Sequence, residues 1–255
     1  MIEPAVLLLH LGLFAIAFAA NTFSALAGGG AGLVQFPALI FLGLPFPVAL
    51  ATHKIASVAL GAGATLRHWR ERHLEWRFAA LLLACGLPGV LAGSILAVSV
   101  PPRAGEVALG LLTMGLGLYS VLRPGLGQTE TPRHRDRAGL VAGGAGLFAI
   151  GLANGALASG TGLFATLLLV RWFGLDYRRA VAYTLVLVGL FWNGTGALAL
   201  AWLSDVRWGW LPALLLGSVT GGYLGAHLAI ARGNRLIKRC YEAVTIAIGI
   251  SLLAP

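Results

Sequence analysis

A lysine inside apolar sequence is the residue of this chain whose position most clearly indicates chemistry. Lys54 ends the run ALATHK (49–54), about eight residues into an apolar segment that we place at 46–66. At a helical rise of 1.5 Å per residue it stands roughly 12 Å from the start of that segment. Burying an ionisable group there is costly, so Lys54 is a candidate for a functional cation. The alternative is that its long side chain extends back to the interface with water.

Two glycine-rich breaks suggest a complementary chemistry, the binding of an anion. They lie at 28–32 (GGGAG) and 159–162 (SGTG) within apolar sequence, although glycine costs a helix about 1 kcal/mol per residue relative to alanine. A helix that begins after such a break presents free N–H groups and the positive end of its dipole, which suit an oxyanion. Glycine also lets the anion approach the backbone without a Cβ in between. The alternative is that these glycines serve only close packing.

The candidate site therefore joins both breaks to the polar residues near them. We predict that a small anion is bound by Gly28, Gly29, Gly30, Gly32, Thr52, Lys54, Ser159, Gly160, Thr161, Gly162 and Asn193. A supporting role around them is expected for Asn21, Gln35, His53, Asn154 and Thr184. Any single Ser, Thr or Asn could instead only hydrogen-bond a neighbouring helix. No metal-ligand spacing or cofactor motif is found, and Cys85 and Cys240 are expected to be packing residues.

Composition indicates an all-α, polytopic membrane protein. Of 255 residues, 58% are hydrophobic and only 11% are charged, and the mean hydropathy is +0.85. A soluble domain of this length would have roughly 25% charged residues. The net charge of +9 could suggest a nucleic-acid partner, but the basic residues lie in loops between apolar segments. Basic cytoplasmic loops explain the excess better, with the lipid bilayer and no nucleic acid as partner.

About ten apolar segments follow one another along the chain, and most have the roughly 20 residues that cross a hydrocarbon core. We place them at 4–27, 30–44, 46–66, 78–98, 104–122, 139–158, 161–174, 180–202, 208–230 and 240–254. The second and the seventh are short, and each follows a glycine break. The first segment resembles a signal peptide, but it lacks a positive start and is expected to remain as a membrane helix.

The basic loops predict the orientation of the chain in the membrane. Most of the 18 Lys and Arg residues lie in the loops 67–77, 123–138, 171–179 and 231–239. If these loops are cytoplasmic, ten alternating segments place both termini outside.

An internal duplication divides the chain into two halves. Gly89, Gly93 and Ala97 recur 132 positions later as Gly221, Gly225 and Ala229, Thr52 recurs likewise as Thr184, and Gly30 and Gly32 recur 130 positions later as Gly160 and Gly162. We predict a first five-segment repeat (1–122), a basic connecting loop (123–138) and a second repeat (139–255). Because five is odd, the second repeat is inverted, as in secondary transporters that bind substrate between their halves. The GxxxG faces are expected to be helix-packing surfaces.

At these residues the sequence resembles the sulfite exporter TauE/SafE family of membrane permeases. The similar elements are AGGGAG followed by Pro37, the run ALATHK, SGTG with the upstream Asn154, and the GxxxG pairs that close each half. The second half departs at AYTLV (182–186), which has no equivalent of Lys54. The resemblance covers essentially the whole chain. It implies export of sulfite, a sulfonate or a related small sulfur-containing anion across a bacterial inner membrane.

Three functions remain as alternatives at this point. The first is an alternating-access anion transporter, with the coupling ion and the oligomeric state open. The second is a passive channel, or a permease for another small anion, which would use the same residues. The third is an intramembrane serine hydrolase, in which Ser159 would be the nucleophile and His227 the base.

Overall fold

The chain folds into α-helices connected by short loops. Its computed structural model describes residues 3–69, 74–96, 102–157 and 160–253, and within these ranges there is no β-strand. The α-helices are α1 (Pro4–Ala27), α2 (Gly32–Phe41), α3 (Phe46–His68), α4 (Trp76–Leu96), α5 (Pro102–Val121), α6 (Arg137–Ala156), α7 (Thr161–Arg171), α8 (Tyr177–Tyr183), α9 (Asn193–Leu203), α10 (Leu211–Arg232) and α11 (Asn234–Leu253). A π-helix (Thr184–Trp192) joins α8 to α9, and a short 3-10 helix (Trp208–Trp210) precedes α10.

Five helical stretches of the described chain are long and apolar enough to cross a membrane. They are Pro4–Ala27, Trp76–Leu96, Arg137–Ala156, Tyr177–Leu203 and Trp208–Arg232. The chain is therefore a multi-pass membrane protein, but length and composition do not confirm ten crossings. Helices α2 and α7 have 10 and 11 residues, so each spans only about half of a hydrocarbon core roughly 30 Å thick.

The predicted segment 180–202 is not one regular helix. Its middle adopts π-helical hydrogen bonding over nine residues, Thr184–Trp192. Within it Gly189 lies against α3, where a Cβ on Gly61 would come within 2.4 Å of the Gly189 carbonyl carbon. Seven of its nine residues are buried, so the π-helix lies in the interior of the bundle, and π-helical turns are frequent at functional sites.

Small residues bring the helix backbones together, as the GxxxG pattern predicted. On α10, a Cβ at Gly221 or Gly225 would lie 2.5 or 2.3 Å from a carbonyl oxygen of α1. On α4, a Cβ at Gly89 or Gly93 would lie 2.3 or 2.0 Å from a carbonyl oxygen of α6. The packing role of these glycines is confirmed, because any side chain there would force the helices apart.

The helices pack in a reciprocal pattern. The most extensive contacts are those of α1 with α10 and of α4 with α6, followed by α3 with α10 and α5 with α11. In the predicted division of the chain, α1 and α4 are the first and fourth segments of the first half, and α6 and α10 are the first and fourth segments of the second. The first segment of each half therefore packs on the fourth segment of the other.

The four basic loops meet at one end of the bundle. Arg179 forms ion pairs with Glu75 at 2.7 Å and with Glu130 at 2.5 Å. The side-chain amide of Asn234 donates to the Gln128 carbonyl at 3.0 Å. These bonds connect the regions 74–77, 123–138, 171–179 and 231–239, so these loops lie on one side of the helices.

We expect Gly93→Val to separate α4 from α6 and lower stability, while Gly12→Val has little effect. The valine at residue 93 would overlap the Leu152 carbonyl, whereas a Cβ at Gly12, also within a helix, would have no neighbour within 4 Å. Overpacking costs about 1–3 kcal/mol, so thermal unfolding of the detergent-purified variants should distinguish them. Equal melting temperatures for the two variants would contradict the packing role.

Candidate functional site

The first glycine turn (residues 28–32) ends α1 and begins α2 with a left-handed backbone. Gly28, Gly29 and Gly30 have φ angles of 84°, 148° and 103°, values that residues with a Cβ rarely adopt. The N–H groups of Gly28 and Gly29 both donate to the Ser24 carbonyl at 2.9 Å, which terminates α1 in a Schellman-type cap. The break predicted from the sequence is confirmed, and its glycines are required by the backbone conformation.

The second glycine turn (residues 160–162) begins α7 and touches the first. Gly160 has a φ of 81° and is the residue before α7. A Cβ on Gly29 would lie 2.9 Å from the Gly162 Cα, and a Cβ on Gly162 would lie 3.0 Å from the Gly28 carbonyl oxygen. The Thr166 hydroxyl lies 3.1 Å from that same oxygen. The N-terminal ends of α2 and α7 are thereby held beside each other.

A small cavity of about 50 Å³ opens where the two turns meet. Since one water needs roughly 10–15 Å³ of such space, the cavity has room for a few waters or a compact ion. It is lined by both glycine turns, α3, the C-terminal end of α6 and the π-helix. Of the predicted residues it brings together Gly28, Gly29, Gly30, Gly32, His53, Lys54, Asn154, Gly160, Thr161, Gly162, Thr184 and Asn193.

Lys54 is buried in the wall of this cavity, only 2% exposed, so it does not extend to the interface. Its ammonium donates to the main-chain oxygen of Asn154 at 2.5 Å and to the Oδ1 of the same residue at 3.2 Å. No carboxylate contacts it among the described residues. An ammonium has three N–H donors, and these bonds use two, which leaves one donor for a ligand.

Asn154 is the centre of a hydrogen-bond network around the lysine. Its side-chain amide donates to the Thr161 hydroxyl at 2.8 Å and to Oδ1 of Asn193 at 3.2 Å. Both N–H groups of that amide are thus used. The network ties the ammonium to the end of α6, the start of α7 and the start of α9, and it crosses between the two halves of the chain.

Two serines of the cavity were not among the predicted site residues. Ser24 is 2% exposed, lines the cavity, and its hydroxyl has no hydrogen-bond partner among the described residues. Ser57 also lines the cavity, 3.2 Å from the His53 ring. Helical spacing could have found Ser57, since it follows Lys54 by three residues and shares its face. Apolar residues of the π-helix complete the lining, namely Leu185, Val188 and Gly189.

Some predicted residues lie away from the cavity lining. Thr52 is buried on another face of α3, where its hydroxyl accepts from the Arg207 N–H at 3.0 Å. Asn21 and Gln35 bond each other at 2.9 Å, and neither is a lining residue. Ser159 falls outside the described residues.

The proposed histidine base is also absent from the lining of the cavity. His227 lies on the exposed side of α10. Its Nδ1 accepts a hydrogen bond from Arg67 Nε at 3.2 Å.

The charges around the cavity favour an anion. Among the described residues, the lining includes one lysine and no aspartate or glutamate. The N-terminal ends of α2 and α7 each add the equivalent of about half a positive charge. The Val34 N–H already donates to the Ala31 carbonyl and the Leu163 N–H to the Gly160 carbonyl. The N–H groups that precede them in α2 and α7 have no partner within their own helix, so they can donate to a ligand. The C-terminal ends of α1 and α6, which also reach the cavity, subtract about half a charge each. The site thus offers converging donors and roughly one net positive charge to a small oxyanion.

Comparison with known proteins identifies relatives along nearly the whole chain. A family model described as "Sulfite exporter TauE/SafE" matches residues 13–252. The chain is 30% identical to the probable membrane transporter protein ORF9 of Sinorhizobium sp, over 95% of this chain and 91% of that protein. It is 29% identical to a probable membrane transporter protein of Haemophilus influenzae, covering 89% and 87% of the two chains. It is also 29% identical to the probable membrane transporter protein YfcA of Escherichia coli K12, covering 94% and 88%. No solved structure shows significant similarity.

We expect Gly28→Ala to destabilise the protein more than Gly43→Ala. Both glycines have a left-handed φ, 84° and 92°, so each alanine costs about 1–2 kcal/mol of backbone strain. Only at Gly28 would the added Cβ also meet a neighbour, the Thr166 hydroxyl at 2.5 Å; around Gly43 the space is open. Thermal unfolding of the two purified variants measures the difference. Identical losses would mean that the two turns do not depend on their mutual contact.

Proposed function

Since the chain belongs to the sulfite exporter TauE/SafE family, we propose that it exports a small sulfur-containing oxyanion such as sulfite or a sulfonate. Its family and its relatives identify it as a membrane transporter and not an enzyme. The observation that carries the choice of an anion is the buried Lys54 ammonium, which has only uncharged partners beside two helix N-terminal ends.

Electrostatics support an anion as the transported species. A buried ammonium without a counter-ion is costly, because hydrogen bonds to neutral groups replace only part of its hydration. An anion in the cavity would supply the missing charge. A cation would meet both the lysine and the two positive helix ends, and it would be repelled.

The geometry suggests how an oxyanion with three oxygens would be bound. One oxygen would accept the remaining Lys54 N–H and draw the ammonium away from Asn154, whose bonds to it would weaken. Other oxygens would accept first-turn N–H groups of α2 and α7. The Ser24 hydroxyl, which lacks a partner among the described residues, would donate to the same ligand. Leu185 and Val188 would lie against an organic substituent of a sulfonate, or limit the size of the anion.

Alternating access is supported by the reciprocal packing of the helices. The pairs α1 with α10 and α4 with α6 are the ones that two equivalent, inverted halves (1–122 and 139–255) would form. The bond between Lys54 and Asn154 joins these halves across the cavity. An anion that takes the ammonium from Asn154 would weaken this link and favour the movement of one half against the other. A ligand can shift such an equilibrium only by this kind of differential contact.

The proposed location is the inner membrane of a bacterium, with the basic loops in the cytoplasm and both termini outside. The gathering of the four basic loops at one end supports this orientation, because cytoplasmic loops carry the excess of Lys and Arg.

We expect Lys54→Met to abolish most anion transport while the protein remains folded. Hydrogen bonds to a charged group contribute about 1.5–3 kcal/mol, so binding should weaken roughly 10- to 100-fold. Proteoliposomes would be tested for uptake of labelled sulfite, with sulfate, thiosulfate, short sulfonates and chloride as competitors. Arg207→Gln is the matched control, because it removes a cation that lies outside the cavity.

Normal sulfite flux with Lys54→Met would exclude the lysine from the mechanism. No flux of any tested sulfur anion in the unmodified protein would contradict the proposed substrate.

Unlabelled anion inside the vesicles distinguishes a transporter from a channel. It should accelerate labelled uptake through alternating access, whereas unsaturable uptake without this acceleration would favour the passive channel.

We also expect Asn154→Asp to block anion binding without unfolding the protein. The new carboxylate would have nearly the size of the amide and would lie about as far from the ammonium as the 3.2 Å Oδ1 contact. It would neutralise Lys54 from within the protein and repel an incoming anion. Isothermal titration with sulfite should show at least about a tenfold loss of affinity, whereas Asn21→Asp, outside the cavity, should retain binding. Unchanged affinity would contradict the competition between Asn154 and the anion.

A further inference from the structure

We propose that the pocket between the basic connecting loop (123–138) and the ends of α5 and α7 binds the headgroup of an anionic phospholipid. This arginine pocket has a volume of about 440 Å³ and lies at the opposite end of α7 from the cavity. Its polar lining consists of Arg123, Arg133, Arg171, Tyr119, Thr129 and Thr131. It is separate from the transport site, and the inference does not depend on which anion is transported.

The pocket carries positive charge that the protein itself does not neutralise. None of its three arginines forms an ion pair among the described residues. Glu130, three residues before Arg133, is already bound by Arg179 at 2.5 Å. Asp176, five residues after Arg171, accepts from the Arg179 N–H and from the Asn234 amide. The C-terminal ends of α5 and α7 contribute about half a negative charge each. The three guanidinium groups outweigh them and leave roughly two positive charges, enough for one or two phosphate groups.

The loop that forms the pocket is held in place by hydrogen bonds and packing. The Thr131 N–H donates to the Gly174 carbonyl at 2.8 Å, and the Tyr177 N–H donates to the Gly127 carbonyl at 2.9 Å. Gly127 has a φ of 65° and packs on the Tyr177 ring, which a Cβ would approach to 2.4 Å. Arg171 is oriented by the hydrogen bond from its Nε to the Tyr119 hydroxyl at 2.7 Å. The guanidinium groups therefore face a fixed pocket and not a free loop.

An apolar surface leads directly into this pocket. On α5 and just after it, Leu118, Val121 and Leu122 are 49%, 48% and 77% exposed, and Arg123 is the next residue. Acyl chains would lie along these side chains while the phosphate meets the arginines. Basic pockets at membrane helix ends are known to bind anionic headgroups such as that of cardiolipin. This continuity of apolar face and basic pocket favours a lipid over a free ion.

The test is lipid retention by the purified, full-length protein in native mass spectrometry. Wild type would be titrated with cardiolipin, phosphatidylglycerol and phosphatidylcholine, alongside the triple variant R123Q/R133Q/R171Q. The matched control is R232Q/R235Q/R239Q, which removes three exposed arginines from the same end of the molecule but outside the pocket. We expect the pocket variant to bind the two anionic lipids about 100-fold more weakly, and the control to bind them like wild type.

A second variant and a competition experiment test the proposal further. If the triple variant does not fold, R123Q/R133Q leaves the bond between Arg171 and Tyr119 intact and should still weaken anionic lipid binding about tenfold or more. Equal lipid binding by the pocket and control variants would overturn the proposal. It would also be overturned if the wild type bound phosphatidylcholine as tightly as the two anionic lipids. Inorganic phosphate that displaces cardiolipin at equimolar concentration would show a site for a free anion and would overturn the assignment to a lipid.

Discussion

The contact between the two glycine turns is the constraint on which the rest of the structure depends. Gly29 lies against Gly162 at a distance that a Cβ on Gly29 would not permit, and the Gly28 carbonyl oxygen lies close to Gly162 as well. This approach sets the first turns of α2 and α7 side by side, and the cavity opens between them. Two helix N-terminal ends repel each other. The C-terminal end of α1, in the same turn as the start of α2, offsets part of this repulsion, and packing or an anion must offset the rest. The GxxxG interfaces of α1 with α10 and of α4 with α6 supply that packing, and an anion would supply the charge.

The lysine gives this arrangement its chemical character. Without Lys54 the cavity would be a weakly positive pocket lined by backbone and hydroxyl groups. With it, a full charge is held in low-polarity surroundings by the carbonyl and amide oxygens of one asparagine. The same asparagine bonds the hydroxyl at the start of α7 and the amide at the start of α9. Charge, helix ends and the contact between the halves are therefore coupled within a single network.

Local sequence was sufficient to predict the parts of the site but not how they join. The glycine turns, the lysine and the helix-packing glycines were all visible, because each combines an unusual residue type with apolar surroundings. Thr52 lies outside the cavity lining, because two residues on a helix turn by about 200° and place it on another face than Lys54. The partnership of Lys54 with Asn154, 100 residues apart, has no local signal. The π-helix was also missed, because hydropathy does not distinguish i→i+5 from i→i+4 hydrogen bonding.

The bond between Lys54 and Asn154 has a kinetic consequence for the proposed cycle. In that cycle an anion in the cavity would replace the asparagine as the partner of the ammonium. The ammonium would then keep a charged partner while one half moves against the other. An unloaded protein that makes the same movement must break this bond with nothing to take its place. The return step is then the slow one unless it too is loaded. Such a protein would be by nature an exchanger, and net export would require a second ion to accompany the return.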